Sequence, residues 1–120
     1  MSRISGMTGF GRQCGVEGVG QALTEKTIYD PDSGQLMSGS LMDYALPRAS
    51  DMPAIEIESL CSPSPHNLLG AKGVGEAGCI GSTPAVVNAV IDALWSGGHK
   101  VKDIRMPLTP ERVWTAMQQQ

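Results

Sequence analysis

Glu76 stands at the centre of Gly70-Ala71-Lys72-Gly73-Val74-Gly75-Glu76-Ala77-Gly78-Cys79-Ile80-Gly81, the stretch whose residue types and spacing speak most directly of chemistry. A glutamate side chain is ionised at neutral pH and can act as a general base toward a proton that a neighbouring electrophile has acidified. The five glycines around it supply unusual backbone angles or let the backbone approach a bound molecule closely. Proton abstraction in a backbone-lined site is therefore the chemistry this stretch offers. The plainer reading is a carboxylate at a helix start, which interacts with the helix dipole for about 0.3–1 kcal/mol and does no chemistry. Gly73-x-Gly75-x-x-Gly78 also fits a dinucleotide-binding fingerprint. That fingerprint must follow a parallel strand, whereas Ser62-Pro63-Ser64-Pro65-His66-Asn67 brings two prolines and only the Leu68-Leu69 apolar pair. Glu76 would also repel the phosphates, so a dinucleotide-binding module is the weaker alternative.

The remaining candidates are less eloquent. His66 and His99 lie more than thirty residues apart in turn-like surroundings, and no second residue completes a catalytic motif for either. Ser64 and Ser82 lack a G-x-S-x-G elbow. Cys14, Cys61 and Cys79 are odd in number and form no C-x-x-C, so neither a disulfide framework nor a zinc or iron–sulfur site is written here, and no metal ligand set is assigned. Cys79 reads as a small buried residue near a helix start. Glu56 and Glu58 share one side of a strand without any neighbour that would bury or tune them.

The elements that must position Glu76 follow from periodicity. Val16, Val19, Ala22 and Leu23 fall at helical spacing, although Gly15, Gly18 and Gly20 each weaken an isolated helix by about 1 kcal/mol relative to alanine. Such a helix needs a close partner. Glu25–Tyr29 and Gln35–Met37 are predicted to pair as a hairpin across the Asp30-Pro31-Asp32-Ser33-Gly34 turn, and Ile55–Glu58 as a further, half-exposed strand. The glycine loop feeds a helix predicted to start at Ser82 or Thr83, with Pro84 in its first turn, and to reach about Trp95 before Gly97-Gly98. Only Asn88, Asp92 and Ser96 form a polar stripe on it, so it should be largely buried. Thr109-Pro110-Glu111 opens a short terminal helix. The fold class predicted is α+β.

A chain of 120 residues with 41% hydrophobic and 18% charged residues suits an ordinary folded segment, while fifteen glycines and eight prolines make it rich in loops. A net charge of -3, without any run of lysine or arginine, gives no field for nucleic acid or an anionic membrane. No apolar run approaches the ~18 residues of a membrane span, and the N-terminus lacks the apolar core of a signal peptide. The expected compartment is reducing and cytoplasmic.

Four stretches in matching order carry a family resemblance: Glu17-Gly18-Val19-Gly20-Gln21-Ala22-Leu23, Gly39 to Ala49, Gly70 to Gly81 with the helix behind it, and Pro107 to Trp114. In these the chain resembles the C-terminal part of the molybdopterin-binding large subunit of the xanthine dehydrogenase and aldehyde oxidase family, nearest to its aerobic carbon-monoxide-dehydrogenase-like branch. The resemblance covers residues 14–117, and assigns residues 1–13 to an irregular start and 14–120 to a segment of a larger molybdenum-cofactor-binding domain. It implies an oxidoreductase, a molybdenum hydroxylase, in which Glu76 is the base that deprotonates a hydroxyl held by molybdenum, and in which Glu17, Gly18, Gly73, Val74 and Gly75 line the cofactor. The cofactor implied is molybdopterin, with the cytosine dinucleotide form as one candidate. Iron–sulfur and flavin (FAD) subunits and the remainder of the large subunit are the implied partners.

Family subunits are several times longer, so the resemblance also implies a piece that is inactive alone and retains no cofactor. A non-catalytic remnant is the rival reading. One position departs from the family pattern: Glu17 replaces the usual glutamine. A carboxylate accepts hydrogen bonds but cannot donate them as an amide does, and it is repelled by a phosphorylated ligand.

Overall fold

The computed structural model describes residues 15–56, 58, 62–73 and 75–119. The expected irregular start over 1–13, Cys14, Ile57, Cys61 and Val74 lie outside the described residues. Among the described residues, three α-helices order the chain, α1 over residues 15–23, α2 over Ala77–Ser96 and α3 over Pro110–Gln118, with a 3-10 turn at Ala49–Asp51.

Helix α1 forms where the apolar spacing predicted it, with Gly18, Gly20 and Ala22 buried. Its glycines are the places where other segments come close. A Cβ at Gly18 would collide with the Ser82 hydroxyl and approach Thr83 Oγ1 to 3.1 Å, and one at Gly20 would meet Glu25 and lie 2.8 Å from Pro47 Cδ. The chain leaves α1 through Thr24 and Glu25, whose N–H groups both donate to Gly20 O at 2.9 Å.

The expected hairpin narrows to one antiparallel bridge, Tyr29 with Leu36. Its turn is the predicted one. Asp30 Oδ1 accepts from the N–H of Asp32, and from both the N–H and the hydroxyl of Ser33, while Gly34 takes φ 70°, a left-handed angle that favours glycine. Beyond the bridge Met37 N–H donates to Ile28 O and Ile28 N–H to Ser38 Oγ, so a side chain takes the place of the next ladder partner. Residues 52–56 and 58 carry no strand pairing, in contrast to the predicted strand over Ile55–Glu58; Ile55 lies near the start of α1, with its Cδ1 3.9 Å from a Cβ built on Gly15.

Helix α2 departs from expectation in its start and in its burial. It begins at Ala77 with Glu76 at the N-cap, so Gly78, Cys79 and Gly81 are helical, and Thr83 and Pro84 lie inside rather than at the cap. Proline removes one helical hydrogen bond and crowds the preceding turn; contact with α1 is what sustains the helix ahead of it. Only Thr83 and Leu94 of α2 are buried, so the helix is not largely buried by this chain. It is also long and apolar enough to cross a membrane by length and composition, with a hydropathy of 1.3, which corrects the reading that no run approaches that length. A helix from the core of a soluble domain meets the same criterion. Its end follows the sequence: Gly97 caps it, Gly98 takes φ 90°, and His99 N–H reaches back to Leu94 O at 2.8 Å.

The chain then returns to α1, where Leu108 N–H donates to Ala22 O at 2.6 Å, and Trp95 Nε1 donates to Val101 O at 2.5 Å. Helix α3 starts as read, with Thr109 Oγ1 accepting from Arg112 N–H and Pro110 at the first position. Among the described residues the buried hydrophobic core is Ala22, Leu94, Val101 and Leu108. The accessible surface is 9564 Å² and the Cα radius of gyration 18.2 Å, against roughly 6,200 Å² and about 13.6 Å for a compact domain of this mass and length.

Candidate functional site

Glu76 is exposed, at φ -101° and ψ -7°, and its carbonyl already accepts the first helical bond from Ile80 N–H at 3.0 Å. Its carboxylate makes no capping bond to the helix it precedes. The side chain is therefore not consumed by the local structure that would make it an ordinary cap. Before it, Gly73 and Gly75 are exposed, and a Cβ on either would meet nothing within 4 Å. A side chain at either position would therefore project into open space. Val74 between them lies outside the described residues.

The loop that leads in is held by its own polar groups. Asn67 mimics a peptide, accepting from Ala71 N–H and donating to Ala71 O, both at 2.9 Å. Ser64 N–H donates to Gly70 O at 2.9 Å, and Lys72 Nζ to Ser62 Oγ at 3.1 Å. No strand precedes Gly73 among the described residues, and Gly78 is inside α2, so the dinucleotide fingerprint lacks its strand and turn. The same loop sets Leu68 and Leu69 fully in solvent at its tip.

Tertiary packing brings Glu17 and Gly18 of α1 against the first turns of α2, the helix that Glu76 precedes. Cys79 Sγ, on the first turn of α2, donates to Glu17 Oε2 on α1 at 3.5 Å. One turn further on, Thr83 Oγ1 lies within reach of Gly18 O at 3.4 Å, Gln21 Oε1 at 3.3 Å and Cys79 O at 3.2 Å, and its single proton serves one of them at a time. Cys79, Ser82 and Thr83 share a helix face by their spacing. Cys79 is half-buried and engaged rather than buried and inert, a correction to its sequence reading. Its partner is 62 residues away in sequence, so no local motif could have revealed it.

The cofactor residues divide on this geometry. The exposed glycines Gly73 and Gly75, with nothing within 4 Å of an added Cβ, leave room for a ligand. Gly18 is buried against Ser82 and Thr83, which explains its lack of a side chain by packing. Glu17 presents an acceptor-only group already engaged with Cys79, a poor match to a phosphorylated ligand. Two cavities, of about 320 and 490 Å³, are both lined by residues 100–105 and α3, and neither includes Glu76 or the glycines before it. Glu76 is exposed and lines neither of these cavities.

Residues 14–53 match the profile of the molybdopterin cofactor-binding domain. The chain belongs to the family of molybdopterin-binding large subunits that includes carbon monoxide dehydrogenase large chains and xanthine dehydrogenase molybdenum-binding subunits. It is 40% identical over 104 residues to the 6-hydroxypseudooxynicotine dehydrogenase complex subunit gamma of Paenarthrobacter nicotinovorans, covering 86% of this chain and 13% of that protein. It is 39% identical over 103 residues to the carbon monoxide dehydrogenase large chain of Hydrogenophaga pseudoflava, covering 86% and 12%. Quinoline 2-oxidoreductase from Pseudomonas putida 86 superposes with a TM-score of 0.86 at 41% identity, over 95% of this chain and 14% of that one. The chain therefore spans only about an eighth of the length of the curated relatives it matches.

Proposed function

We propose that this chain is the segment of a molybdenum hydroxylase large subunit that contributes the active-site base, Glu76, and one wall of the molybdenum-cofactor pocket. The observation that carries the reading is the exposed Glu76 carboxylate at the N-cap of α2, uncommitted to capping and preceded by exposed glycines whose side-chain positions are clear, in a chain similar to molybdenum enzymes over most of its length. In the complete subunit residues 14–120 join an α+β domain, and the rest of that domain covers α2. When bound, the molybdenum cofactor supplies the redox chemistry. Glu76 accepts a proton at a carboxylate oxygen, and Gly73 and Gly75 let the backbone lie against the ligand without a side chain intervening.

By the same reading the cofactor is molybdopterin, including its cytosine dinucleotide form, the location is cytoplasmic, and electrons leave through iron–sulfur and flavin subunits. The relatives named as parts of complexes support partner subunits in general. The test is Glu76→Gln in the complete, molybdenum-loaded subunit: turnover should nearly vanish while molybdenum content and folding persist. Normal turnover by that variant would overturn the assignment.

A further inference from the structure

We propose that Glu17 and Cys79 form a brace that sets the position of Glu76, making Glu17 a positioning residue and not a cofactor ligand; the inference rests on the reading of Glu76 as the base. Cys79 lies three residues after Glu76, on the first turn of α2, and its thiol donates to Glu17 Oε2 at 3.5 Å. Residues at i, i+3 and i+6 or i+7 follow one side of a helix, so Glu76, Cys79 and the Ser82–Thr83 pair fall along one face. That is the face α1 meets. The contact is made at two heights: below, Gly18 against Ser82 and Thr83, with the Thr83 hydroxyl reaching Gly18 O and Gln21 Oε1; above, Glu17 with Cys79.

The first turn of α2 is held less firmly than the rest, because it is a helix terminus and Pro84 lacks the N–H that would bond to Ile80 O. The upper contact ties down that turn, and with it the N-cap residue whose backbone begins it. A carboxylate suits this task better than it suits the cofactor. It accepts from the thiol, whereas beside a phosphorylated ligand an acceptor-only anion is repelled.

The experiment uses the complete, molybdenum-loaded subunit carrying Glu17→Ala, Cys79→Ala, both together, Glu17→Gln and Cys79→Ser, reading kcat, KM and molybdenum per subunit. Loss of one hydrogen bond to a charged group should lower kcat by about tenfold in each alanine variant, with KM and molybdenum content within about twofold of the parent. The double variant should be no slower than the slower single one, because both remove the same contact. Cys79→Ser keeps a donor and Glu17→Gln keeps an acceptor, so both should recover most of the loss. Additive losses in the double variant, or an unchanged kcat in either alanine variant, would overturn the brace. So would a Glu17→Ala subunit that loses molybdenum while Cys79→Ala keeps it, the result expected of a cofactor ligand. Failure of the underlying reading shows separately, as a Glu76→Gln subunit that turns over normally.

Discussion

Gly18 of α1 meets Ser82 of α2 so closely that the smallest side chain at position 18 would overlap the Ser82 hydroxyl. Ser82 Cβ would stand 3.0 Å and Thr83 Oγ1 3.1 Å from the added carbon, so rotation of the serine side chain cannot by itself make room. Two effects of Gly18→Ala oppose one another. Alanine favours an isolated helix by about 1 kcal/mol over glycine, whereas overpacking a close contact costs about 1–3 kcal/mol. With two neighbours to displace, net destabilisation of about 1 kcal/mol is expected, read as a lower thermal midpoint. A raised midpoint would show that the helices part at no cost.

Glu76→Gln keeps the side chain's shape and hydrogen-bonding capacity while removing its basicity. General-base catalysis contributes about 10²–10⁴-fold, roughly 3–5 kcal/mol of barrier, so the loss belongs in kcat and not only in KM. If Glu76 served only the helix dipole, the change would amount to about 0.3–1 kcal/mol of stability, and chemistry would be untouched. Retention of more than about a tenth of the parental kcat by a fully loaded variant decides for the dipole, because tenfold is only ~1.4 kcal/mol.

The 120-residue chain on its own should bind a hydrophobic dye and should not retain molybdenum when purified from cells that make the cofactor. Leu41, Met42, Leu68 and Leu69 are 77%, 93%, 107% and 92% exposed, and Ile80 and Trp95 of α2 are 68% and 46% exposed. An enclosed ligand needs donors from several elements, and this chain offers one open wall. Metal analysis and dye fluorescence check both statements; stoichiometric molybdenum would refute the second.

Two side chains outside the candidate site set opposite pH limits on local structure. The Ser33 backbone N–H, then the Ser33 hydroxyl and the Asp32 N–H, hold the Asp30 carboxyl below its ordinary value. Its folded pKa is therefore depressed: the turn gains stability above the unfolded pKa and loses it as pH falls through the folded one. Tyr44 donates to Glu25 Oε2 at 2.6 Å, and that bond, then burial, then the glutamate's charge raise the phenol's pKa. This contribution is complete below the unfolded value and disappears as pH rises through the folded one. Carbon-detected NMR of Asp30 and tyrosinate absorbance compared between the parent and Tyr44→Phe should show both displacements. A Tyr44 titration at the ordinary tyrosine value would mean that the clasp to Glu25 does not persist in solution.

Sequence by itself determined the features whose causes are local. Asp30 to Gly34 turn because a short carboxylate can accept from the next N–H groups and glycine can take a positive φ. Thr109 and Pro110 start α3, and Gly97 and Gly98 end α2, for similarly short-range reasons. The apolar spacing from Val16 to Leu23 was enough to predict α1. The family was legible too, because four motifs kept their order. Tertiary structure decided where α2 begins. Ser82-Thr83-Pro84 has the local chemistry of a cap, yet Thr83 turns its hydroxyl toward Cys79 O and α1, and the helix runs back to Ala77. It also decided that Glu17 faces Cys79, and that Leu108 bonds to Ala22. Neither pairing could be read from spacing, because each joins segments more than sixty residues apart, and the approach of α2 to α1 that accompanies the first is one that the glycine at position 18 permits.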